Sequence, residues 1–254
     1  MIDMRVLGVG LWAPGFVNAA AWLAGEADPN AQRPKTELVG PRLRKGTSLV
    51  TRMSVEAAVQ AAEQAGLDLA VTPIVFGSAY GEINIAIEQL DAMREGEGFV
   101  SPLRFKNSVH NTAPGILSIA AGNRGMATAL AGGAHTFRSV LIESHCLVAT
   151  GQPAVLAIVS DEPLPAPLDQ RCRYEGLAVA LALASDAPAG GGLGRLHNMR
   201  RGAATPERVA TSRWARNPAA ASLGVLDAVI RRHAGTIPIT LDGDESWCID
   251  YVLP

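Results

Sequence analysis

The chain has 254 residues, of which 48% are hydrophobic and 18% charged, and this composition favours one large α/β domain, alone or with an appendage. Its net charge of −2 excludes a chain-wide basic surface for nucleic acid, and no polybasic tail is present for an anionic membrane. The three cysteines are widely spaced and odd in number, which argues against a disulfide framework or a structural zinc site. We therefore expect no metal and no cofactor.

The sequence contains no pattern that predicts export or membrane insertion. Residues Met1–Arg5 lack the charged region, long apolar run and cleavage site of a signal peptide. The longest apolar runs, such as Leu177–Ala184, are too short to cross a bilayer. We expect a soluble, cytoplasmic protein that binds neither nucleic acid nor membrane.

The first part of the chain predicts a buried strand at Arg5–Trp12 and a short helix at 18–25. A surface loop at 26–48 and a second helix at 54–66 follow. The second helix is predicted from apolar residues at helical spacing. Ser54 stands where an N-cap is expected and Gly66 where a C-cap glycine is expected.

The rest of the chain alternates strands with helices. Strands are predicted at 73–77, 127–131, 154–160, 178–184, 237–241 and 247–252. Helices are predicted at 84–94, with Ile83, Ile87 and Leu90 on one face, and at 113–121, 136–150 and 219–233. The segments 101–111 and 187–194 should be loops, and 198–217 has weak periodicity. This alternation favours a layered α/β fold with a mixed sheet.

Gly8-x-Gly10 in the first strand resembles the start of a dinucleotide-binding motif. The full motif fails because Ala13 stands at the third glycine position and Pro14 follows at once. No acidic residue lies at the distance needed to bind a ribose. The motif therefore does not predict a nucleotide cofactor.

Residues 122–138 have the pattern of a strand-to-helix elbow. A strand of small residues runs into a glycine pair and then into an apolar helix, a layout in which many acyl-transfer enzymes place a nucleophile. Gly132, Gly133 and Ala134 occupy the elbow, and none of them can attack a carbonyl. This segment therefore decides between an enzyme and a partner of an enzyme.

Three polar residues near the elbow are candidates for chemistry. His110 and Asn111 could polarise a carbonyl or orient an acyl substrate, or they could simply cap the helix that follows. His135, at a predicted helix N-terminus, could donate a hydrogen bond to a carbonyl as a neutral imidazole, or it could be a packing residue.

Two other sets of residues have alternative interpretations. Cys146 lies about three turns into its helix, where a core position is expected and no dipole lowers its pKa. Cys172 lies in a polar loop. Five arginines of the last third could meet a phosphate-bearing or acidic carrier or form a solvated face: Arg200, Arg201, Arg208, Arg213 and Arg216.

Three motifs in order resemble the β-ketoacyl synthases of the thiolase fold, and more closely the short chain length factors of aryl polyene clusters. They are Val6–Gly15, Thr72–Glu82 and, as the most specific, Ser101–Gly115. The similarity covers most of the first 165 residues. It implies a thiolase-like layered αβα fold with mixed sheets, in a single ketosynthase-like domain 1–254. The N-terminal half would be 1–165 and the shortened C-terminal portion 166–254.

The resemblance also implies what the elbow has lost. If the nucleophile strand starts at Gly125, Ala134 stands where active members of the family have a cysteine. The family's catalytic histidines come from its second half, and neither His197 nor His233 has the expected surroundings. The family forms dimers by pairing its nucleophile strands, which here implies pairing through residues 127–131.

The expected function is that of a non-catalytic, chain-length-factor-type subunit. It would pair with an active ketosynthase, or with itself, and meet an acyl carrier protein in fatty-acid, polyketide or aryl polyene biosynthesis. One alternative is a stand-alone acyltransferase or decarboxylase that uses His110, Asn111 and His135. Another is a homodimeric acyl-binding module without chemistry.

Overall fold

The structure is a computed structural model that describes residues 2–96, 100–166, 168–185, 191–202, 213–240 and 246–254. Its strands are β1 (Asp3–Trp12), β2 (Ile74–Gly77), β3 (Ala127–Leu130), β4 (Ala154–Asp161), β5 (Leu177–Ala184), β6 (Gly194–Arg201), β7 (Gly235–Pro238) and β8 (Trp247–Val252). Its α-helices are α1 (Ala19–Ala24), α2 (Pro41–Arg44), α3 (Leu49–Ala65), α4 (Ile83–Glu95), α5 (Pro102–Lys106), α6 (Thr112–Ala121), α7 (Thr136–Ala149) and α8 (Leu223–Arg231).

The described strands form one mixed sheet in the order β3-β2-β4-β5-β1-β6-β8-β7. Strand β2 pairs in parallel with β3 and β4, and every other neighbouring pair is antiparallel. The predicted mixed α/β architecture is therefore confirmed, with a single sheet where the prediction allowed for several.

Helices cover both faces of this sheet, which gives the predicted αβα layering. On one face, α3 and α6 pack over a core that includes Trp12, Met53 and Phe76. On the other, α7 and α8 pack over a second core that includes Phe137 and Leu226. Strands β4 and β5 are buried along their whole length because both of their faces are covered.

Gly8 and Gly10 allow α3 to approach the sheet closely. A Cβ atom at Gly8 would overlap the carbonyl oxygen of Ala61, and one at Gly10 would overlap that of Ala57. The two glycines therefore serve helix–strand packing, which explains the incomplete dinucleotide motif in physical terms.

Helix α3 begins earlier than the sequence predicts. Ser48 is its N-cap and accepts a hydrogen bond from the backbone N–H of Thr51 at 3.0 Å. Ser54, the predicted cap, is buried inside the helix and donates to the Val50 carbonyl at 2.7 Å. The prediction was wrong because the buried stripe of α3 continues for another turn through Val50. Gly66 ends the helix in a left-handed conformation, as expected.

Other predictions need smaller corrections. The predicted loops 26–48 and 101–111 contain α2 and α5, each with a proline in its first turn. Helix α4 buries Ile85 and Gln89, whereas the predicted apolar face leaves Leu90 exposed. The predicted helix 219–233 divides into a 3₁₀ helix, Pro218–Ser222, and α8. Parts of the segments 187–194, 198–217 and 237–241 lie outside the described residues.

Candidate functional site

The turn after β2, the elbow after β3 and the end of β4 meet at one edge of the sheet, where these three parallel strands end. The carboxyl ends of parallel strands lie at one edge of a sheet, and the register places Gly77 of β2 beside Leu130 of β3. The backbone N–H of Ser78 donates to the Leu130 carbonyl at 3.1 Å, which ties the turn after β2 to the start of the elbow. Asp161 closes β4 at the same edge. This edge is the candidate site.

The elbow after β3 has the predicted strand–turn–helix geometry. A short 3₁₀ helix, Gly133–His135, leads directly into α7. Gly133 has φ +55°, a conformation that favours glycine. Thr136 Oγ1 accepts from the Gly132 N–H at 3.1 Å and donates to the Gly133 carbonyl at 2.8 Å. Ala134 is half-buried in this turn and presents only a methyl group.

His135 lies at the elbow, as the sequence predicts. Its side chain is half-buried, and its Nδ1 atom is buried without a hydrogen-bond partner among the described residues. Its carbonyl accepts from Ser139 Oγ at 3.2 Å. A role for His135 in orienting a substrate stays a prediction.

His110 and Asn111 are directed to different surroundings. The Nε2 atom of His110 lies 2.8 Å from the Ser78 carbonyl, so that nitrogen carries the proton and donates. The ring packs near Phe76, and Gly81 lies so close to it that an added Cβ would be 2.8 Å from His110 Cδ2. Asn111 precedes α6, is exposed, and makes no capping hydrogen bond with its side chain. The two residues therefore do not converge on one substrate atom, and Asn111 does not cap through its side chain.

A buried carboxyl group joins the strand ends at this edge, and sequence reasoning missed it. Asp161 is 1% exposed. Its carboxylate accepts from Ser78 Oγ at 2.7 Å and from the N–H groups of Ala79 and Tyr80, both at 3.1 Å. Asp161 therefore fixes the turn that follows β2, which is the turn that His110 contacts.

Two further buried carboxyl groups extend this network to the start of α3. Glu82 accepts from Thr51 Oγ1 at 2.5 Å, and Glu162 accepts from the backbone N–H of Val50 at 3.2 Å. Each is 3% exposed, and each has one oxygen without a hydrogen-bond partner among the described residues. We name Glu82, Asp161 and Glu162 the carboxyl cluster.

Burial dominates the electrostatics of the carboxyl cluster. It raises the pKa of Asp161 to about 7 against the lowering effect of its hydrogen bonds, and it raises the pKa of Glu82 to about 7. It also raises the pKa of Glu162 and, together with the charge of Asp161, that of the buried Tyr174 hydroxyl. Within the described residues no group of His, Cys, Asp and Glu is arranged to hold a metal. Asp161 and Glu82 therefore titrate near neutral pH.

Sequence comparison assigns the chain to a family. The family model of the β-ketoacyl synthase N-terminal domain matches residues 19–244. The chain belongs to the β-ketoacyl synthase N-terminal domain family. A comparison with curated proteins finds no match.

Solved structures confirm the thiolase-like fold of this β-ketoacyl synthase-family chain. One match is a ketosynthase (ApeO) in complex with its chain length factor (ApeC) from Xenorhabdus doucetiae: TM-score 0.75, 21% identity, 98% of this chain and 100% of that chain. A second is the ishigamide ketosynthase/chain length factor, with a TM-score of 0.65 and 17% identity. This match covers 90% of this chain and 73% of that chain. A third is the AntDE:AntF complex of a type II PKS acyl-carrier protein with its ketosynthase, with a TM-score of 0.73 and 13% identity. This match covers 100% of both chains.

This family member carries an open apolar groove between α4 and α5. Its volume is about 570 Å³. Several of its large apolar side chains are exposed, among them Leu90 at 59% and Phe105 at 63%. An exposed set of this size is suited to a partner or an apolar ligand. We name it the α4–α5 groove.

Two of the five arginines of the last third are in ion pairs within the described part of the chain. Arg200 pairs with Asp250 at 2.7 Å, and Arg213 pairs with Glu175 at 3.1 Å. Arg201 stacks over a tryptophan ring. Arg208 lies outside the described residues. These two ion pairs reduce the positive charge that this face could offer to a phosphate or an acidic carrier.

The cysteines lie in three different environments. Cys146 is exposed, so the predicted core position is wrong: it lies on the outer face of α7, opposite the buried residues Val140 and Leu141. Cys172 is half-buried, and Cys248 is buried beside the Gly202 carbonyl. None of the helices in the described residues is long and apolar enough to cross a membrane.

Proposed function

We propose that this chain is a non-catalytic β-ketoacyl synthase-like subunit. It pairs with an active ketosynthase and helps to set the length of the acyl chain in fatty-acid, polyketide or aryl polyene biosynthesis. The structures that it resembles include complexes of a ketosynthase with a chain length factor.

The observation that carries this proposal is an intact elbow without a nucleophile. The turn keeps its left-handed Gly133, its threonine hydrogen bonds and its position at the start of α7. Ala134 occupies the position of the family's cysteine, and its methyl group cannot form an acyl thioester. Maintenance of the elbow without its chemistry fits a partner subunit.

The partner binds along β3. Among the described strands, β3 pairs on one side only, with β2, which leaves its other edge open to a second strand. Its residues are small or apolar, and all are exposed or half-buried. A second copy of the same strand could extend the sheet across a two-fold axis.

The α4–α5 groove is the surface through which the chain influences product length. It is open, apolar and bordered by flexible side chains such as Met93. An acyl chain that grows in the partner's active site would end against this surface.

The stand-alone enzyme is less well supported. It needs His110, Asn111 and His135 to act on one substrate, but His110 donates to the Ser78 carbonyl and Asn111 is exposed to solvent. The homodimeric module uses the same β3 edge and is separated from the proposal by the stoichiometry of the complex.

Co-expression with a catalytic β-ketoacyl synthase from the same gene cluster tests the proposal. We expect a 1:1 complex on size-exclusion chromatography with multi-angle light scattering. A chain that forms only homodimers, or stays monomeric in the presence of the ketosynthase, would contradict it.

A further inference from the structure

An open groove of about 760 Å³ lies where strand β6 separates from β1. Strand β6 pairs with β1 only from Asp3 to Val6, whereas β1 continues along β5 to Trp12. Beyond Val6 no described strand covers this edge of β1, and Val9 lines the groove there. Helices α1, α3 and α8 form its walls, and none of its lining residues belongs to the elbow or to the α4–α5 groove. We name it the β1 groove.

Glutamine side chains of α3 take the place of a strand along this edge. The backbone N–H of Val9 donates to Gln64 Oε1 at 2.8 Å, and that of Leu11 donates to Gln60 Oε1 at 3.1 Å. A peptide that extends a sheet needs such donors for its own carbonyl groups. Because the glutamines already occupy them, an added peptide strand is a poor occupant of the β1 groove.

The side chains at the bottom and sides of the β1 groove are aliphatic. Val9 and Val229 are buried there, and Leu23, Leu193 and Ile230 are half-buried. No aromatic side chain is among its described lining residues, so a planar ligand would find no ring on which to stack. The volume lies within the range of small-molecule pockets, roughly 300–1,000 Å³. These properties suit a flexible hydrocarbon chain.

One uncompensated cation stands at the rim of the β1 groove. Arg232 is exposed, lines the groove and is in no ion pair within the described residues. The preceding residue, Arg231, pairs instead with Asp227 at 2.7 Å. The charge of Arg232 is therefore available to an anion in the groove.

The backbone of Arg232 is also strained. It ends α8 with φ 54° and ψ 45°, the left-handed conformation that glycine usually adopts at this position. An arginine adopts this conformation at a free-energy cost that a glycine avoids. Strain at a residue other than glycine indicates a role for its side chain.

The charges around the β1 groove set the direction in which a ligand would lie. Glu63 of α3 also lines the groove, and α3 and α8 pack on opposite faces of the sheet. An anionic group is therefore attracted to the side of Arg232 and repelled from the side of Glu63. The groove is complementary to a molecule with one negative end and a hydrocarbon tail.

We propose that the β1 groove binds a long-chain fatty acid. The carboxylate lies at Arg232, and the hydrocarbon chain runs along Val9, Leu23 and Ile230. This site is additional to the proposed function, because it needs neither the elbow nor a ketosynthase partner.

Isothermal titration calorimetry of the free chain with dodecanoate, below its micelle concentration, tests the proposal. We expect one saturable site. Dodecanoate should bind at least about tenfold more tightly than octanoate, because each added CH₂ group buries further apolar surface. Dodecyltrimethylammonium has the same chain and the opposite charge, and it should bind at least about tenfold more weakly than dodecanoate.

Arg232→Gly separates loss of the cation from loss of the fold. Glycine is favoured in the left-handed conformation, so the Tm of this variant should match or exceed that of the wild type. Its affinity for dodecanoate should nevertheless fall by about tenfold or more, because the carboxylate loses its charged partner. Arg232→Lys keeps the charge and should bind within about threefold of the wild type.

Two alanine substitutions locate the site. Ala20 is exposed on α1 and lines the β1 groove, so the indole of Ala20→Trp should fill the groove and abolish binding. Ala92 is exposed on α4 and does not line this groove, so Ala92→Trp is the matched control and should bind like the wild type.

Three results would overturn the proposal. They are equal affinity of the wild type and Arg232→Gly, dodecanoate binding that Ala20→Trp leaves unchanged, and no dodecanoate binding by the wild type. If Ala20→Trp disrupts the 1:1 ketosynthase complex and no dodecanoate binds, the groove is a protein interface instead. Because the titrations use the free chain, their failure leaves the proposed function intact.

Discussion

Substitution of Ala127 by arginine is expected to weaken pairing with the ketosynthase by about 100-fold, which corresponds to about 3 kcal/mol. Ala127 is exposed at the open edge of β3, so the free chain can accommodate the longer side chain in solvent. In the complex the same guanidinium would project from the face of the extended sheet at the subunit interface, without a counter-charge. Size-exclusion chromatography with light scattering should show separate subunits.

Ala234→Arg is the matched control for this variant. Ala234 is also exposed, but it lies just before β7, at the opposite end of the sheet. This variant should retain the 1:1 complex, and both variants should keep the wild-type Tm. Dissociation caused by Ala234→Arg, or a stable complex with Ala127→Arg, would refute pairing through β3.

A second large effect is expected from the carboxyl cluster, in the dependence of stability on pH. The pKa values of Asp161 and Glu82 are raised to about 7 from ordinary values of 3.8 and 4.5. Between about pH 4 and about pH 7 the folded chain therefore keeps protons that the unfolded chain has released. The free energy of unfolding should fall as pH rises through this window, on the order of a few kcal/mol in total, and level off above it.

Urea unfolding at about pH 5 and about pH 8 measures this dependence. Asp161→Asn removes one titrating group, so the difference in unfolding free energy between the two pH values should shrink. Glu82 and Glu162, whose pKa values are also raised, account for what is left, whereas Tyr174 stays neutral at both pH values because its pKa is raised further above 10. A difference that is unchanged in Asp161→Asn, or a wild type that is more stable at pH 8, would show that the cluster is not protonated as described.

Asp250→Asn provides a control with the opposite sign. A hydrogen bond from Arg200 lowers the pKa of Asp250 to about 2. The stability that Asp250 contributes is therefore present above the ordinary aspartate pKa of 3.8 and is lost only as pH falls towards 2. This variant should leave the difference between pH 5 and pH 8 unchanged.

The sequence predicted the sheet and most of its helices because these depend on local periodicity. The elbow was recognised from Gly132, Gly133 and the small residues before them, a pattern that its backbone conformation then explains. The start of α3 was misplaced because Ser48 and Ser54 are equally good caps locally, and only tertiary burial of Val50 decides between them.

The carboxyl cluster could not be inferred from local pattern. Glu82 and Asp161 are 79 residues apart in the sequence. Only the parallel pairing of β2 with β4 brings their segments to the same edge of the sheet. The adjacent acids Asp161 and Glu162, which follow the apolar run 154–159 after a single serine, were the available signal. Such a pair normally indicates an exposed loop, whereas here both side chains are buried.

The excess of basic residues between positions 33 and 52 was missed for a different reason. The net charge of the whole chain averages out a local excess, and the prolines of residues 26–48 predicted only irregular structure there. The arginines of the last third were the candidates for an acidic carrier, but two of them, Arg200 and Arg213, pair with Asp250 and Glu175 from distant parts of the chain.

The most direct test of the central claim measures which subunit of the complex accepts an acyl group. The complex is incubated with an acyl-carrier thioester, and each subunit is weighed by intact mass spectrometry. Because Cys146 is exposed, the experiment uses the Cys146→Ser variant of this chain. The account predicts an acyl adduct on the ketosynthase alone and an unmodified mass for this chain. A stoichiometric acyl adduct on this chain would contradict it.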